Sequence, residues 1–224
     1  MPQLFTPRAN ARFRLGLLLV AGIALGAAAL AFTLARSDRA WGVGRAAPQP
    51  IPFSHALHAG GLGVDCRCCH ATVERAAGAG MPTAELCLGC HNRVWTGAAV
   101  LAPLEDSLAL GAPIEWHSVH RLPEHARFHH AVHVQSGVAC ETCHGQVWTM
   151  PQTVKTRPMS MGWCLDCHRA PEAQQRPPEA VFERDWPGAA ADPSGHRPGG
   201  TEALRVRHFG VEILPLTRCS VCHR

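Results

Sequence analysis

Five times in 224 residues the chain writes Cys-x-x-Cys-His. The copies run Cys66–His70, Cys87–His91, Cys140–His144, Cys164–His168 and Cys219–His223, and they use ten of the eleven cysteines. Two thiols three positions apart form thioethers with the two vinyl groups of one porphyrin. The histidine that follows becomes the proximal ligand of its iron. The spacing therefore predicts five covalently bound haem c groups. Their attachment points are Cys66 and Cys69, Cys87 and Cys90, Cys140 and Cys143, Cys164 and Cys167, and Cys219 and Cys222. The proximal ligands are His70, His91, His144, His168 and His223. Zinc also favours Cys-x-x-Cys pairs, but it takes four ligands per ion and asks for no histidine directly after each pair. A disulfide framework would leave the histidines without a job. Cys68, the odd cysteine inside the first motif, reads as a small packing residue.

Five haems on so short a chain decide the fold class. Beyond the first 35 residues, fewer than about 40 residues serve each haem. A conventional aliphatic core does not fit that ratio, so the porphyrins themselves must supply much of the buried apolar surface. The expected fold is a mostly irregular and α-helical multihaem cytochrome c fold with little β structure. Its 18 prolines and 21 glycines suit a loop-rich polypeptide wrapped on cofactors. The formal charge of +4 is no nucleic-acid signal. Ten haem propionates and five ferric centres together add about −5, which leaves the oxidised protein near neutral. Lys155 is the one lysine, and no basic run stands out.

The amino end adds a membrane element. Residues 1–14 carry Arg8, Arg12 and Arg14 and no acid, and 15–35 then run without a charge. Twenty-one apolar residues suffice to cross a bilayer as a helix, whereas the apolar core of a cleaved signal peptide usually has about 7–15. A retained single-pass anchor is the favoured reading. The arginines put residues 1–14 in the cytoplasm and the haem-binding part in the periplasm, on the inner membrane. Gly22 and Gly26 form a small-x-x-x-small step, a weak sign of packing against another membrane helix. Residues 36–52 read as a linker.

A duplicated module follows. Phe53-Ser54-His55-Ala56-Leu57-His58 precedes the first two haem motifs, and Phe128-His129-His130-Ala131-Val132-His133 precedes the next two. Both copies read F-x-H-x-x-H, then a Gly-Val turn, then two attachment motifs. This divides the chain into a first dihaem module (53–100), a connector (101–127), a second dihaem module (128–170), a Pro/Gly-rich connector (171–210) and a C-terminal haem segment (211–224). One short helix is expected around residues 100–110.

Ten histidines remain for the distal side of the irons. His55 and His58, and His130 and His133, stand three apart on one helical turn, so each pair should serve two different haems and tie them together. His120 is the fifth candidate. His117, His125, His129, His196 and His208 receive no role. Methionine is the competing distal ligand, with Met81, Met150, Met159 and Met161 near haem motifs; the ordinary role of such a residue is packing.

The longer strings FSHALHAGGLGVDCRCCH, PIEW with VHRLP, FHHAVHVQSGVACETCHG, PMSMGWCLDCHR and terminal CSVCHR resemble one family in particular. It is the membrane-anchored pentahaem cytochrome c subunit of alternative complex III, built on the grammar of class III multihaem cytochromes. The likeness covers nearly all of residues 53–170 and the last motif. Cys68 replaces the aromatic residue such proteins carry there.

The resemblance implies a wire and not an enzyme. A polytopic membrane subunit would oxidise quinol beside an iron–sulfur subunit. This chain would then pass electrons to a monohaem cytochrome c, a soluble cytochrome c or a terminal oxidase. The rival reading is a self-sufficient membrane multihaem quinol dehydrogenase feeding a periplasmic reductase. A multihaem oxyanion reductase would need an open distal position and acid–base groups beside it.

Overall fold

The computed structural model describes residues 6–186 and 216–223. Residues 187–210 of the Pro/Gly-rich connector, with His196 and His208, and residues 211–215 lie outside the described residues. The chain divides into two compact units, residues 1–43 and 44–224.

The first unit is one helix, α1 (Pro7–Arg36). Thr6 caps it by accepting the N–H of Ala9 at 3.2 Å, and Pro7 occupies a first-turn position where its missing N–H costs nothing. Arg36 sits in the last turn, where the helix dipole favours a cation, and Ser37 Oγ donates to the Leu34 carbonyl at 2.6 Å. Thirty residues at 1.5 Å each span about 45 Å, more than the hydrocarbon core of a bilayer. No residue of α1 is buried. It is one helix long and apolar enough to cross a membrane, a test that a signal sequence also passes.

The second unit is built from short helices joined by irregular backbone. They are α2 (Cys66–Cys69), α3 (Ala84–His91), α4 (Ala102–Leu110), α5 (His130–Gln135), α6 (Cys140–His144), α7 (Met161–Arg169) and α8 (Cys219–Cys222). Among the described residues no strand forms; two isolated bridges, Ala46 with Val154 and Val138 with Gln175, are the β-type pairing. Every haem motif starts on one of these helices. A helical turn brings positions i and i+3 onto one face, so each pair of cysteines points the same way and the histidine follows at i+4. Asp65 caps α2 through the Arg67 N–H at 2.8 Å, and Ser160 caps α7 through Trp163 at 3.2 Å.

Aliphatic packing is sparse among the described residues, as expected of a chain that would wrap on its cofactors. Among the described residues the buried apolar side chains are Ala84, Ala131, Ala139 and Ala180 beside Ile51, Val73, Leu104, Trp148 and Val181. One cluster joins Ile51, Ala84 and Leu104, with Leu88 and Trp116 against it, and so packs the connector helix α4 on α3. Gly111 ends α4 in the left-handed conformation, φ 61°, where glycine carries no Cβ penalty.

Two segments read as loose in the sequence are fastened. Within the linker, Gly44 N–H donates to the Lys155 carbonyl at 2.7 Å, Ala46 bridges Val154 and Ile51 is buried. Within 171–186, Arg176 pairs with Glu141, Arg184 reaches the Ala59 carbonyl, and Gln175 bridges Val138. This stretch is tied to both modules.

Candidate haem-binding sites

The F-x-H-x-x-H turns take the same form twice. In the first, a single π-helical turn (Ala56–Gly61) follows His55 and carries His58; in the second, His130 and His133 lie on α5. Phe53 stands edge-on to His55 (4.9 Å, 87°) and stacks on His58 (4.4 Å, 26°). Phe128 does the same to His130 (4.8 Å, 88°) and His133 (4.3 Å, 28°). One aromatic ring thus holds two imidazoles in different planes. Their nitrogens then aim at different targets.

Those targets are the motif histidines. His58 faces His91 with ring centroids 6.2 Å apart, His133 faces His168 at 6.1 Å, and His130 faces His144 at 6.3 Å, nearly parallel. Two imidazoles on opposite sides of one metal, each at about 2 Å through a ring nitrogen, have centroids about 6 Å apart. His55 lies within electrostatic reach of His70.

The other ring nitrogen is already engaged at most of these histidines. Nδ1 of His70 meets the Gly80 carbonyl (2.8 Å), that of His91 the Val94 carbonyl (3.1 Å), that of His168 the Leu216 carbonyl (3.0 Å) and that of His223 the His125 carbonyl (2.9 Å). Among the distal candidates, Nδ1 meets Ser54 O from His58 (2.9 Å), Ala77 O from His130 (2.7 Å), His129 O from His133 (2.9 Å) and Thr153 Oγ1 from His55 (3.0 Å). A carbonyl only accepts, so at every one of these rings but His55, whose partner is a hydroxyl, Nδ1 carries the proton and Nε2 keeps its lone pair for a metal.

Electrostatics keep several of these rings neutral. Burial, with His70 and His58 nearby, lowers His55 to about 4. Burial, with His120, His130, His70 and His55 around it, lowers His144 to about 3. Burial also lowers His133. A neutral imidazole is the form that ligates iron.

His120 and His125 stand elsewhere. His120 lies edge-on to His144, centroids 4.3 Å apart and planes at 84°, and burial with Lys155 nearby lowers it to about 4. This places it beside the third motif. Its Nε2 is buried without a hydrogen-bond partner, as is the Trp116 indole N–H. Orphaned polar atoms of this kind cost about 1–3 kcal/mol each, and a haem iron or propionate would satisfy them. His125 stacks beside His223 (5.6 Å, 24°). Its own carbonyl holds His223 Nδ1, on the side of the ring away from Nε2, so the contact is one of positioning.

A zinc site would gather four ligands at one point. Among the described residues no group of three or more His, Cys, Asp or Glu comes together for a metal ion. The donors come in imidazole pairs beside paired thiols, which fits haem. Sequence reasoning missed the supporting partners Gly80, Val94, Ala77, Thr153 and Leu216. All but Thr153 act through backbone carbonyls, which carry no side-chain signal.

No protein-family model matches the chain. Over 97 residues it is 32% identical to the multihaem cytochrome c subunit of a menaquinone reductase from Nitratidesulfovibrio vulgaris. The match covers 43% of this chain and 45% of that protein, so less than half of the relative's length is spanned.

Proposed function

We propose that the chain is the electron-transfer subunit of a membrane quinol-oxidising complex of the alternative complex III type. It binds five haem c groups through the ten motif cysteines and passes electrons to a periplasmic cytochrome c or a terminal oxidase. The observation that carries this reading is the set of three imidazole pairs with centroids 6.1–6.3 Å apart, each pairing a motif histidine with a histidine of an F-x-H-x-x-H turn. Histidine pairs of this kind would hold a haem iron from both sides and leave no place for a substrate, so the group would supply one-electron transfer. The chain's own residues hold the ring planes and keep several of the imidazoles neutral. His70, His91, His144, His168 and His223 serve as proximal ligands, with His55, His58, His130 and His133 opposite four of them. His120 is the fifth distal candidate. Helix α1 anchors the unit to the inner membrane, with the haem-binding unit in the periplasm.

A second reading has the relative's name behind it: electrons run from a periplasmic donor into the menaquinone pool. Both readings need other subunits to handle the quinone, whereas a self-sufficient quinol dehydrogenase would not. Haem absorbance after adding menaquinol, recorded on the purified chain and on its native complex, separates them. Reduction in the complex alone supports the subunit reading, and reduction of the isolated chain at a comparable rate refutes it. Faster oxidation of pre-reduced complex by menaquinone than by oxidised cytochrome c reverses the direction.

A further inference from the structure

The two modules grip each other by equal exchanges. Ala56 N–H donates to the Met150 carbonyl at 2.9 Å, and Ala131 N–H donates to the Ala76 carbonyl at 3.1 Å. Ala131 lies 75 residues after Ala56, and Met150 lies 74 after Ala76. These are the offsets that separate the two histidine turns and the first motif of each module. The same reciprocity holds for side chains. His55 of the first turn is held by Thr153, beyond the third motif, and His130 of the second turn is held by Ala77, beyond the first motif. At the end of each turn, Gly60 closes on the Trp148 carbonyl with no room for a Cβ, while Gln135 donates to the Glu74 carbonyl at 2.9 Å. Contact of residue i with j, matched by contact of j's counterpart with i's, is the mark of a two-fold interface. A residue on such an axis meets its own counterpart. Cys66 and Cys140 are counterparts, and their thiols lie close enough to perturb each other.

Resting on the five-haem reading, we infer that the modules are related by an internal pseudo-two-fold axis through Cys66 and Cys140, and that the attachment motifs follow one another in space as second, first, third, fourth, fifth. The remaining neighbours agree with that order. Cys69 of the first motif lies within electrostatic reach of Cys87 of the second. Cys143 of the third is in reach of Cys167 and Cys164 of the fourth. Cys164 of the fourth is in reach of Cys222 of the fifth, whose segment also supplies the Leu216 carbonyl to His168. His70 and His55 act on His144 across the axis. Each histidine turn bridges the two motifs of its own module. An electron moving along the chain, oxidising one ferrous iron and reducing the next ferric one, therefore changes module between the first and third motifs, whichever way it flows.

The test is a cryo-electron microscopy map of the haem-loaded chain in its native complex, with a pyridine haemochrome count on the same sample. The expected map has one two-fold that superposes 53–91 on 128–168, with the irons of the first and third motifs forming the shortest contact between modules. Iron of the second or fourth motif at that junction, or the fifth beside the second, overturns the order even with five haems counted. A count other than five refutes the five-haem reading instead, and an absent junction haem overturns the order with it.

Discussion

The two repeats, each an F-x-H-x-x-H turn with two Cys-x-x-Cys-His motifs, share one grammar and differ in what holds it. In the first, both motif histidines are steadied from within the module: His70 by the Gly80 carbonyl and His91 by that of Val94, three residues on. In the second, His168 takes its partner from Leu216, 48 residues away, and His144 has the connector's His120 against its ring. The position after the first cysteine shows the same split. Arg67 pairs with Asp65 and Glu74 of its own module on the surface, whereas its counterpart Glu141 pairs with Arg176 from beyond the second module. A duplicated unit can keep its ligands and still change its supports. The second copy draws supports for its motif histidines and motif charge from the connector's His120 and from residues beyond it, while the connector helix α4 packs on α3 of the first copy.

The sharpest way to break this comparison is to remove one distal histidine from each copy. His58→Ala and His133→Ala should each convert about one haem in five from low-spin to high-spin, read by electron paramagnetic resonance of the oxidised protein. A high-spin signal from only one variant would mean that the copies do not share ligand roles. Next comes the charge at the equivalent motif positions. Arg176→Ala strands a part-buried Glu141 and should cost about 2–3 kcal/mol in thermal or denaturant unfolding. Arg67→Ala breaks a solvent-exposed pair and should cost under about 1 kcal/mol. The Arg67 side chain holds the Asp65 carboxyl below its ordinary value. That small contribution is present at neutral pH and lost as pH falls through the depressed carboxylate range, so the two curves should merge in acid.

A smaller effect tests the borrowed support. Deleting residues 216–224 removes the fifth motif and also the carbonyl that holds His168. Loss of that hydrogen bond makes the imidazole a poorer donor and should raise one second-module potential by about 40 mV, the equivalent of about 1 kcal/mol for one electron. Redox titration should leave the first module's potentials in place. The smallest change is Thr153→Val, which removes the partner of His55 Nδ1 and should cost about 1 kcal/mol or less, with all haems still low-spin.

Much of the candidate site could be read directly from the residues, because haem attachment is a local, short-range pattern. Cys-x-x-Cys-His needs only one helical turn, and the repeat of F-x-H-x-x-H 75 residues on singled out four histidines that the fold sets near motif histidines. The connector helix was also legible, since Pro103 and Gly111 mark the ends of α4. What lay hidden depends on long-range contact. Nothing in the composition of 36–52 says that Gly44 and Ala46 dock beside Lys155 and Val154, because the recognition is between backbone groups. Nothing near His120 says that it would sit on the ring of His144, 24 residues on. The reciprocal grip of the modules was equally silent: its donors and acceptors are mostly main-chain atoms.

The sparse aliphatic packing has a consequence for how such a protein is made. With little more than one small cluster around Leu104 to collapse on among the described residues, the bare polypeptide would have slight reason to fold before haem ligation. On the proposed reading, maturation would be ordered by physics: crossing the membrane first, ligation second and compaction last. A copy that missed one ligation would stay loosely packed there and within reach of proteases. The scarcity of a conventional interior would then double as proofreading, with only fully loaded copies closing.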